Sequence, residues 1–581
     1  MKKIKTQLLS LVFISTLTSC SISFDASNES KDSILQVGDT TNSETGNKTD
    51  SSTEIDISTE TVNPDTETEL VESLPSTEKE NTDAKETTKP STEPEGEVTY
   101  NKVTTNFDNS DLATITGYPY TPNKGTINLL AIPVIIEGYE STATPTVRND
   151  IKNTLFGDKS STAWESVKSF YSTSSLNNLT INGTVSDWYT CGYTPAELDD
   201  MDDANGAASN TILKKAIDWY KIKYSTDCKE FDNDGDGFID GVFLIYSAPD
   251  AYTANENGDS TLNPDIFWAY TTMDYDARAN VNNPTRGFYF WASYDFMYEG
   301  YGTANVDAHT FIHETGHMLG LDDYYSYNYT NSNLTKSVSP LGGLTMMDHN
   351  VMDLDAYSKF ALGWSKPYII DKPGTLTISR SNLNNDSIII PTKKNTVTNA
   401  FDEYVMLELF SPTGLNLKDA TTNYSSYYTA NKITTPGIKA YHVDSRLCQF
   451  QASSNGSITN AKYVTAPLTN PNYNTYYYGV SHTNTPSGYD AYGRASSLNY
   501  MDSNYRLITQ LSKSGRKFAS NSYTVENQDL YHQGDSFSQS LLGLTSQLPN
   551  TTKMNNGSTL AYNFTVVSMT ADSATLQFTA N

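Results

Sequence analysis

The stretch His313-Glu314-Thr315-Gly316-His317-Met318-Leu319-Gly320-Leu321-Asp322-Asp323 decides how the rest of this chain is read. Two histidines four apart on a helix share one face, close enough for both imidazoles to grip one ion. Glu314 follows the first histidine and projects beside that ion, where a bound water would sit. Gly320 can take the left-handed conformation that ends a helix and swings the chain back. Asp323, ten residues after His313, then arrives where a third ligand is wanted, with Asp322 as its rival. Three protein ligands and an open fourth position describe a catalytic zinc site; structural zinc is usually enclosed by four. His309, four residues before His313, shares the ligand face and is read as an orienting or packing residue, with a fourth or substitute ligand as the alternative.

The chain around this motif has 581 residues, ample for a sizeable core and two or three domains. Its formal charge of −29 and pI near 4.5 argue against nucleic acid or an anionic membrane surface as partner. Much of that charge sits in residues 21–97, which hold 20 Asp/Glu against 5 Lys/Arg and one aromatic, Phe24. Such a segment cannot bury enough apolar surface to fold and reads as a disordered acidic tether, roughly 50 Å across as a flexible coil. Residues 1–20 combine three early lysines, an apolar run from Leu8 to Leu17, and Leu17-Thr18-Ser19-Cys20. That is a secretory signal too short for a stable membrane span. Its last four residues resemble the bacterial lipobox, which would make Cys20 a lipid-modified mature N-terminus. The expectation is an extracytoplasmic chain on the bacterial surface, touching the membrane through lipid only. Cys191, Cys228 and Cys448 then remain, an odd number that rules out a full disulfide framework. Cys191 with Cys228 is one possible pair; three buried or free thiols is the other reading.

Ordered sequence begins near Val98, where the acidic run stops. Residues 126–136 are nearly continuously apolar, as in a strand buried on both faces. Helix is expected around Trp164 to Tyr171, strand from Leu179 to Val185, helix from Ala207 to Trp219 and strand from Val242 to Tyr246. Before that last strand, Asp232-Asn233-Asp234-Gly235-Asp236-Gly237-Phe238-Ile239-Asp240 places oxygen ligands at alternate positions. Glycines permit the tight turn that a hard cation such as calcium needs. Position twelve is Phe243 rather than a bidentate Glu, and strand follows where helix should, so this is no true EF-hand. The expected ligands are Asp232, Asp234, Asp236 and Asp240; the bland reading is a solvated turn. Past the zinc motif, residues 342–349 end in Met346-Met347-Asp348-His349, and Asp355 to Trp364 reads as an amphipathic helix. A boundary falls near Pro367 to Gly374. Beyond it, 375–379, 387–390, 404–410, 438–443 and 574–578 read as strands between Asn/Ser/Thr/Gly turns.

These residues together resemble secreted bacterial metallopeptidases of the immune inhibitor A type. The resemblance rests on the zinc motif, Met347-Asp348-His349-Asn350, Ala356-Tyr357-Ser358-Lys359 and Leu362-Gly363-Trp364. It extends upstream through Leu155-Phe156-Gly157, Phe170-Tyr171 and the Asp232 loop, and downstream through Glu403 to Glu408, Pro436 to Asp444 and Gly534 to Ser538. It implies an α/β (α+β), metzincin-like zincin catalytic domain over residues 98–366, then all-β sandwich-type material over 367–581. It carries zinc ligation onto His313, His317 and Asp323, and the acid/base role onto Glu314. The turn around Met347 is similar to the methionine turn beneath the metal in metzincins. Related zincins carry a tyrosine two residues after that methionine; here His349 stands there, and its imidazole can donate a similar hydrogen bond to an oxyanion.

The expected chemistry is peptide hydrolysis by zinc-activated water, with Glu314 as general base and extracellular proteins or peptides as substrates. A second class stays open: a surface adhesin whose zinc site is not catalytic, consistent with 40 tyrosines, a β-rich C-terminus and a tether. A third is zinc-dependent hydrolysis of a non-peptide bond.

Overall fold

The apolar run expected over 126–136 lies in a strand, β1 (Gly125–Ile135), up to its last residue, and is buried almost throughout. A computed structural model describes residues 98–581 except 106, 202–205, 299–305, 327–338, 349–350, 422–432, 453–457, 485–487, 490–494, 497–499, 503, 519–523 and 546–552. The signal segment 1–20 with Cys20, the tether 21–97 and His349 lie outside the described residues.

The first part of the chain alternates strand and helix. Strands β2 (Leu179–Val185), β3 (Tyr189–Thr190), β4 (Phe238–Ile239), β5 (Val242–Tyr246), β6 (Tyr270–Met273), β7 (Thr285–Arg286) and β8 (Phe288–Ser293) follow β1. Helices here are α1 (Asn109–Thr116), α2 (Pro145–Phe156), α3 (Val167–Ser174), α4 (Ala207–Tyr224), α5 (His309–Met318) and α6 (Ala356–Ala361), with shorter turns between. The main sheet has the order β2-β1-β5-β8-β6, and β3 also pairs with β1. β2, β1, β5 and β8 run parallel, and β6 closes the order antiparallel to β8.

Period-two alternation explains why β1 and its neighbours carry apolar residues without interruption. Ile127, Leu129 and Ala131 share one core cluster with Phe243, Ile245, Phe288 and Phe290. Leu130, Ile132 and Val134 share another with Val242, Leu244, Tyr289 and Trp291. Each face is covered, so a polar residue has no solvated side to occupy. Ile212, Leu213, Ala216 and Ile217 of α4 belong to the second cluster; Phe311, Ile312 and Met318 of α5 belong to the first. Full burial of each large side chain contributes about 1.5–3 kcal/mol.

Helix starts follow local chemistry. Thr144 caps α2 just before Pro145, whose fixed φ suits the first turn. The helix expected over 164–171 starts instead at Val167, because Ser166 and Ser169 form a capping box there. Trp164 packs edge-on against Phe170 at 5.7 Å. The predicted helix over 207–219 runs on to Tyr224. Alternation over the Tyr270 and Phe288 strands, and helices α1 and α2, had no counterpart in the sequence reading.

Beyond Pro367 strands dominate: β9 (Tyr368–Ile369), β10 (Gly374–Ser379), β11 (Ile388–Pro391), β12 (Glu403–Phe410), β13 (Gly437–Asp444), β14 (Leu447–Ala452), β15 (Ile458–Val464), β16 (Tyr477–Val480), β17 (Gly488–Tyr489), β18 (Ala495–Ser496), β19 (Ile508–Gln510), β20 (Ser536–Phe537), β21 (Tyr562–Met569) and β22 (Ser573–Ala580). Five expected strands fall within β10, β11, β12, β13 and β22 to within one or two residues. A sheet ordered β19-β13-β12-β11-β9 and a sheet ordered β10-β22-β21-β20 share an apolar cluster including Val405, Leu407, Ile438, Phe564 and Leu576. On the other side of β12 and β13, Tyr404, Met406, Tyr441 and Val443 join the cluster beneath the zinc motif. The core is thus continuous across residue 366. The smaller sheet β15-β14-β16 stands apart from these two.

Cys191, Cys228 and Cys448 are buried free thiols, which decides against the Cys191–Cys228 pairing. Among the described residues no helix is long and apolar enough to cross a membrane.

Candidate active site

Every residue of α5 from His309 to Met318 is buried, so its polar groups must be satisfied from neighbouring elements. The His313 Nδ1 lies 3.0 Å from the Met346 carbonyl oxygen, and the His317 Nδ1 lies 2.9 Å from the Leu321 carbonyl oxygen. A carbonyl only accepts, so each Nδ1 carries the proton, and in the neutral ring each Nε2 presents a lone pair. Those two Nε2 atoms are 3.2 Å apart, and Asp323 Oδ1 lies 2.9 Å from one and 3.3 Å from the other. Ligand atoms on a tetrahedral zinc, at about 2.0–2.1 Å from the metal, are about 3.3 Å from one another. Three lone pairs therefore converge with the spacing and donor types that zinc takes.

Charge balance agrees. Burial alone would raise the Asp323 carboxyl, but His317 and His313 hold it well below the usual carboxylate range. Burial pushes His317 down, yet the Asp323 carboxylate outweighs it and carries His317 up to about 10. The cluster calls for positive charge beside Asp323. A proton satisfies one of the Nε2 atoms; a cation satisfies all three ligand atoms at once.

The turn into Asp323 depends on two glycines. Gly320 has φ +86°, the left-handed conformation that ends the helix and returns the chain. Gly316 sits between the two histidines, where an added Cβ would lie 2.6 Å from Met347 Sδ and 3.3 Å from the Tyr171 hydroxyl. Met347 thus packs directly under the helix. The same turn, Met346–Asp348, supplies the carbonyl for His313, and the Met347 carbonyl accepts from Tyr324 N at 2.9 Å. Tyr171 donates to the Ile312 carbonyl at 2.7 Å.

Glu314 is fully buried, and its carboxylate lies within 4.8 Å of ligand atoms on both histidines. Thr271, on edge strand β6, places its hydroxyl 2.9 Å from Glu314 Oε2 and 3.0 Å from the Glu314 carbonyl oxygen. The other carboxylate oxygen has no hydrogen-bond partner among the described residues. Burial pushes the Glu314 carboxyl upward, against the pull of His317 and His313. Thr271 escaped the sequence reading, since one threonine in Tyr-Thr-Thr-Met carries no signal of what lies above it.

Asp322 is half-buried, hydrogen-bonds the Thr483 side chain and lines a cavity that His317 and Tyr120 also line. His309 is buried one turn before His313. The Asp232 loop forms a second cluster, remote in sequence. Ligand oxygens of Asp232, Asp234 and Asp240 lie within 4.8 Å of one another. Loop amides use part of these carboxylates: Gly237 N donates to Asp232 Oδ2 at 3.1 Å, Asp236 N to Asp234 Oδ1 at 3.0 Å, and Asn233 N to Asp240 Oδ2. Asp232 Oδ1 and Asp240 Oδ1 are buried without such a partner among the described residues. Burial and the Asp234 charge push Asp240 up to about 8. Asp236 lies outside this threesome; its Oδ1 accepts from Phe238 N at 2.8 Å.

A buried His-Glu-x-x-His helix thus lies against a mostly parallel sheet, with potential metal ligands converging on one face. Residues 147–343 match the family described as the immune inhibitor A peptidase M6 catalytic domain. Among curated proteins, Immune inhibitor A of Bacillus thuringiensis subsp. alesti is 24% identical over 189 residues, covering 29% of this chain and 26% of the relative. The chain thus spans about a quarter of the length of the relative it matches.

Proposed function

We propose that this chain is a surface-anchored zinc endopeptidase that hydrolyses peptide bonds of extracellular proteins. The observation that carries the reading is the convergence of His313 Nε2, His317 Nε2 and Asp323 Oδ1 within 3.3 Å, beside the buried Glu314. Zinc bound there would lower the pKa of a coordinated water and polarise the scissile carbonyl. His313, His317 and Asp323 would hold it, with Met346 and Leu321 carbonyls fixing the rings. Glu314 takes the proton from the attacking water and delivers it to the leaving amine, while Thr271 holds its carboxylate in place. His349 would donate a hydrogen bond to the developing oxyanion.

The finer parts of the reading are a metzincin-like catalytic domain over 98–366, sandwich-type packing of the two C-terminal sheets, and calcium held by Asp232, Asp234, Asp236 and Asp240. Buried carboxylate oxygens in that loop support the calcium assignment. The secretory signal and lipobox support a lipid on Cys20, with 21–97 as spacer.

The test is casein or gelatin digestion by the region from Val98 onward, with and without chelator, beside a Glu314→Gln variant. Zinc retained and cleavage lost in that variant supports the reading. Cleavage that survives Glu314→Gln at the parental rate sinks it, and no cleavage by the zinc-loaded parent favours the adhesin or non-peptide alternatives.

A further inference from the structure

Next to His317 lies a cavity of about 160 Å³. Small-molecule pockets run to about 300–1,000 Å³, so this one suits a single side chain. Its walls are aromatic: Tyr118, Tyr120, Phe450, Tyr478 and Tyr500 line it, with Phe450 and Tyr500 stacked at 4.5 Å between ring centroids. Asp322 contributes the one carboxylate of the lining. Two histidines also border it. His317 directs its Nε2 to His313 and Asp323; His482 directs its Nε2 to the Tyr463 hydroxyl at 3.0 Å and Asp444 at 3.5 Å. Among the described residues no lysine or arginine lies within 4.0 Å of the Asp322 carboxylate. The Thr483 hydroxyl satisfies part of the Asp322 carboxylate, and a half-buried carboxylate among ring faces is further stabilised when a cation joins it. The faces of those rings attract a cation in their own right.

We propose that this cavity is the subsite that selects a lysine or arginine side chain of the peptide substrate, with Asp322 as its ion-pair partner and the aromatic rings as its walls. The proposal rests on the peptidase reading above. Because His317 borders the cavity, a peptide whose scissile carbonyl sits at the metal position has a flanking side chain within reach of Asp322. Six of the seven Tyr and Phe residues of the lining, all but Tyr324, lie outside residues 147–343, the segment that matches the family, while Asp322 lies inside it. The carboxylate is therefore supplied by the matched segment, and most of the ring walls by the N-terminal approach, the Tyr357 helix and residues 450–500.

The test uses peptide pairs that differ only by lysine against norleucine at each position flanking the cleaved bond, with zinc content measured for every protein. The zinc-loaded chain should favour lysine at one position by at least tenfold in kcat/KM. Asp322→Asn should bring that ratio close to one, and Tyr500→Leu, which keeps apolar volume without the ring face, should lower it severalfold. Norleucine cut as well as lysine at every position, or an undiminished ratio in zinc-loaded Asp322→Asn, overturns the proposal. If Asp322→Asn loses zinc, the Tyr500→Leu ratio decides: unchanged, it overturns the proposal. If no peptide is cut at all, the peptidase reading fails separately. Fluorescence anisotropy of the same pairs on zinc-loaded Glu314→Gln then decides the subsite, tenfold tighter lysine binding supporting it and equal binding overturning it.

Discussion

The His313 helix and the Asp232 loop each bring three potential ligand atoms within 4.8 Å, yet they are built on opposite plans. In the helix, a carbonyl from the distant turn at Met346 and one from the turn directly after the helix, at Leu321, occupy the far side of the two imidazoles, so the near-side lone pairs are left for a cation. In the loop, amides of the same nine residues consume carboxylate oxygens, so local hydrogen bonds hold part of the turn's shape themselves. The first site is a product of packing; the second is mostly a product of turn chemistry. A site of the first kind should fail completely when one ligand goes, and one of the second kind gradually.

The largest expected effect separates chemistry from binding at the helix. Glu314→Gln should lower kcat/KM by about 10²–10⁴, the range ascribed to a general base, while zinc content and thermal unfolding hold. Loss of zinc in that variant would place Glu314 among the ligands instead. Next, Asp323→Ala should abolish stoichiometric zinc binding, whereas Asp322→Ala should retain it; metal analysis that reverses the two exchanges their roles. In the loop, Asp232→Asn should leave zinc content intact and lower the Tm measured in calcium, and no difference in Tm would make the loop a plain turn.

The loop also predicts a pH dependence. Burial, reinforced by neighbouring carboxylates, pushes Asp236 up to about 6 and Asp240 up to about 8, from an ordinary value near 3.8. Carboxyls raised in the folded state stabilise it fully below about pH 4, and that contribution is lost as pH rises through 6 and 8. Calcium binds the deprotonated form, so the Tm gained on adding calcium should be larger at pH 8 than at pH 5. An equal gain at both would remove these carboxylates from the site. Smaller again, Gly316→Ala forces a Cβ to within 2.6 Å of Met347 Sδ and should cost about 1–3 kcal/mol of stability by overpacking. Met347→Ala in the same chain should recover part of that loss. Tyr171→Phe, which removes the 2.7 Å bond to the Ile312 carbonyl, should cost about 1 kcal/mol.

Elements with strong periodicity were legible from the residues alone. The run at 126–136, the alternation at 179–185 and the strands at 404–410 and 438–443 sit where expected because both faces, or one, of each strand are buried. Edge strand β6 was not legible: Tyr-Thr-Thr-Met is too short and too polar to announce itself, yet it supplies Thr271. The cavity beside His317 was equally hidden. Its rings come from residues 118, 120, 324, 357, 450, 478 and 500, which only the closed core brings together.

Sequence by itself determined the chemistry of the centre: which two imidazoles share a helix face, which carboxylate stands beside them, and where a glycine must end the helix. Those follow from 3.6-residue periodicity and backbone sterics, which act locally. Tertiary structure alone decided between Asp322 and Asp323 as the neighbour of the histidines, since one residue of turn points the two side chains in different directions. It alone set Met347 against Gly316 and brought Phe450 and Tyr500 to the rim of the site. These depend on contacts between segments far apart in the chain, and no local pattern records them.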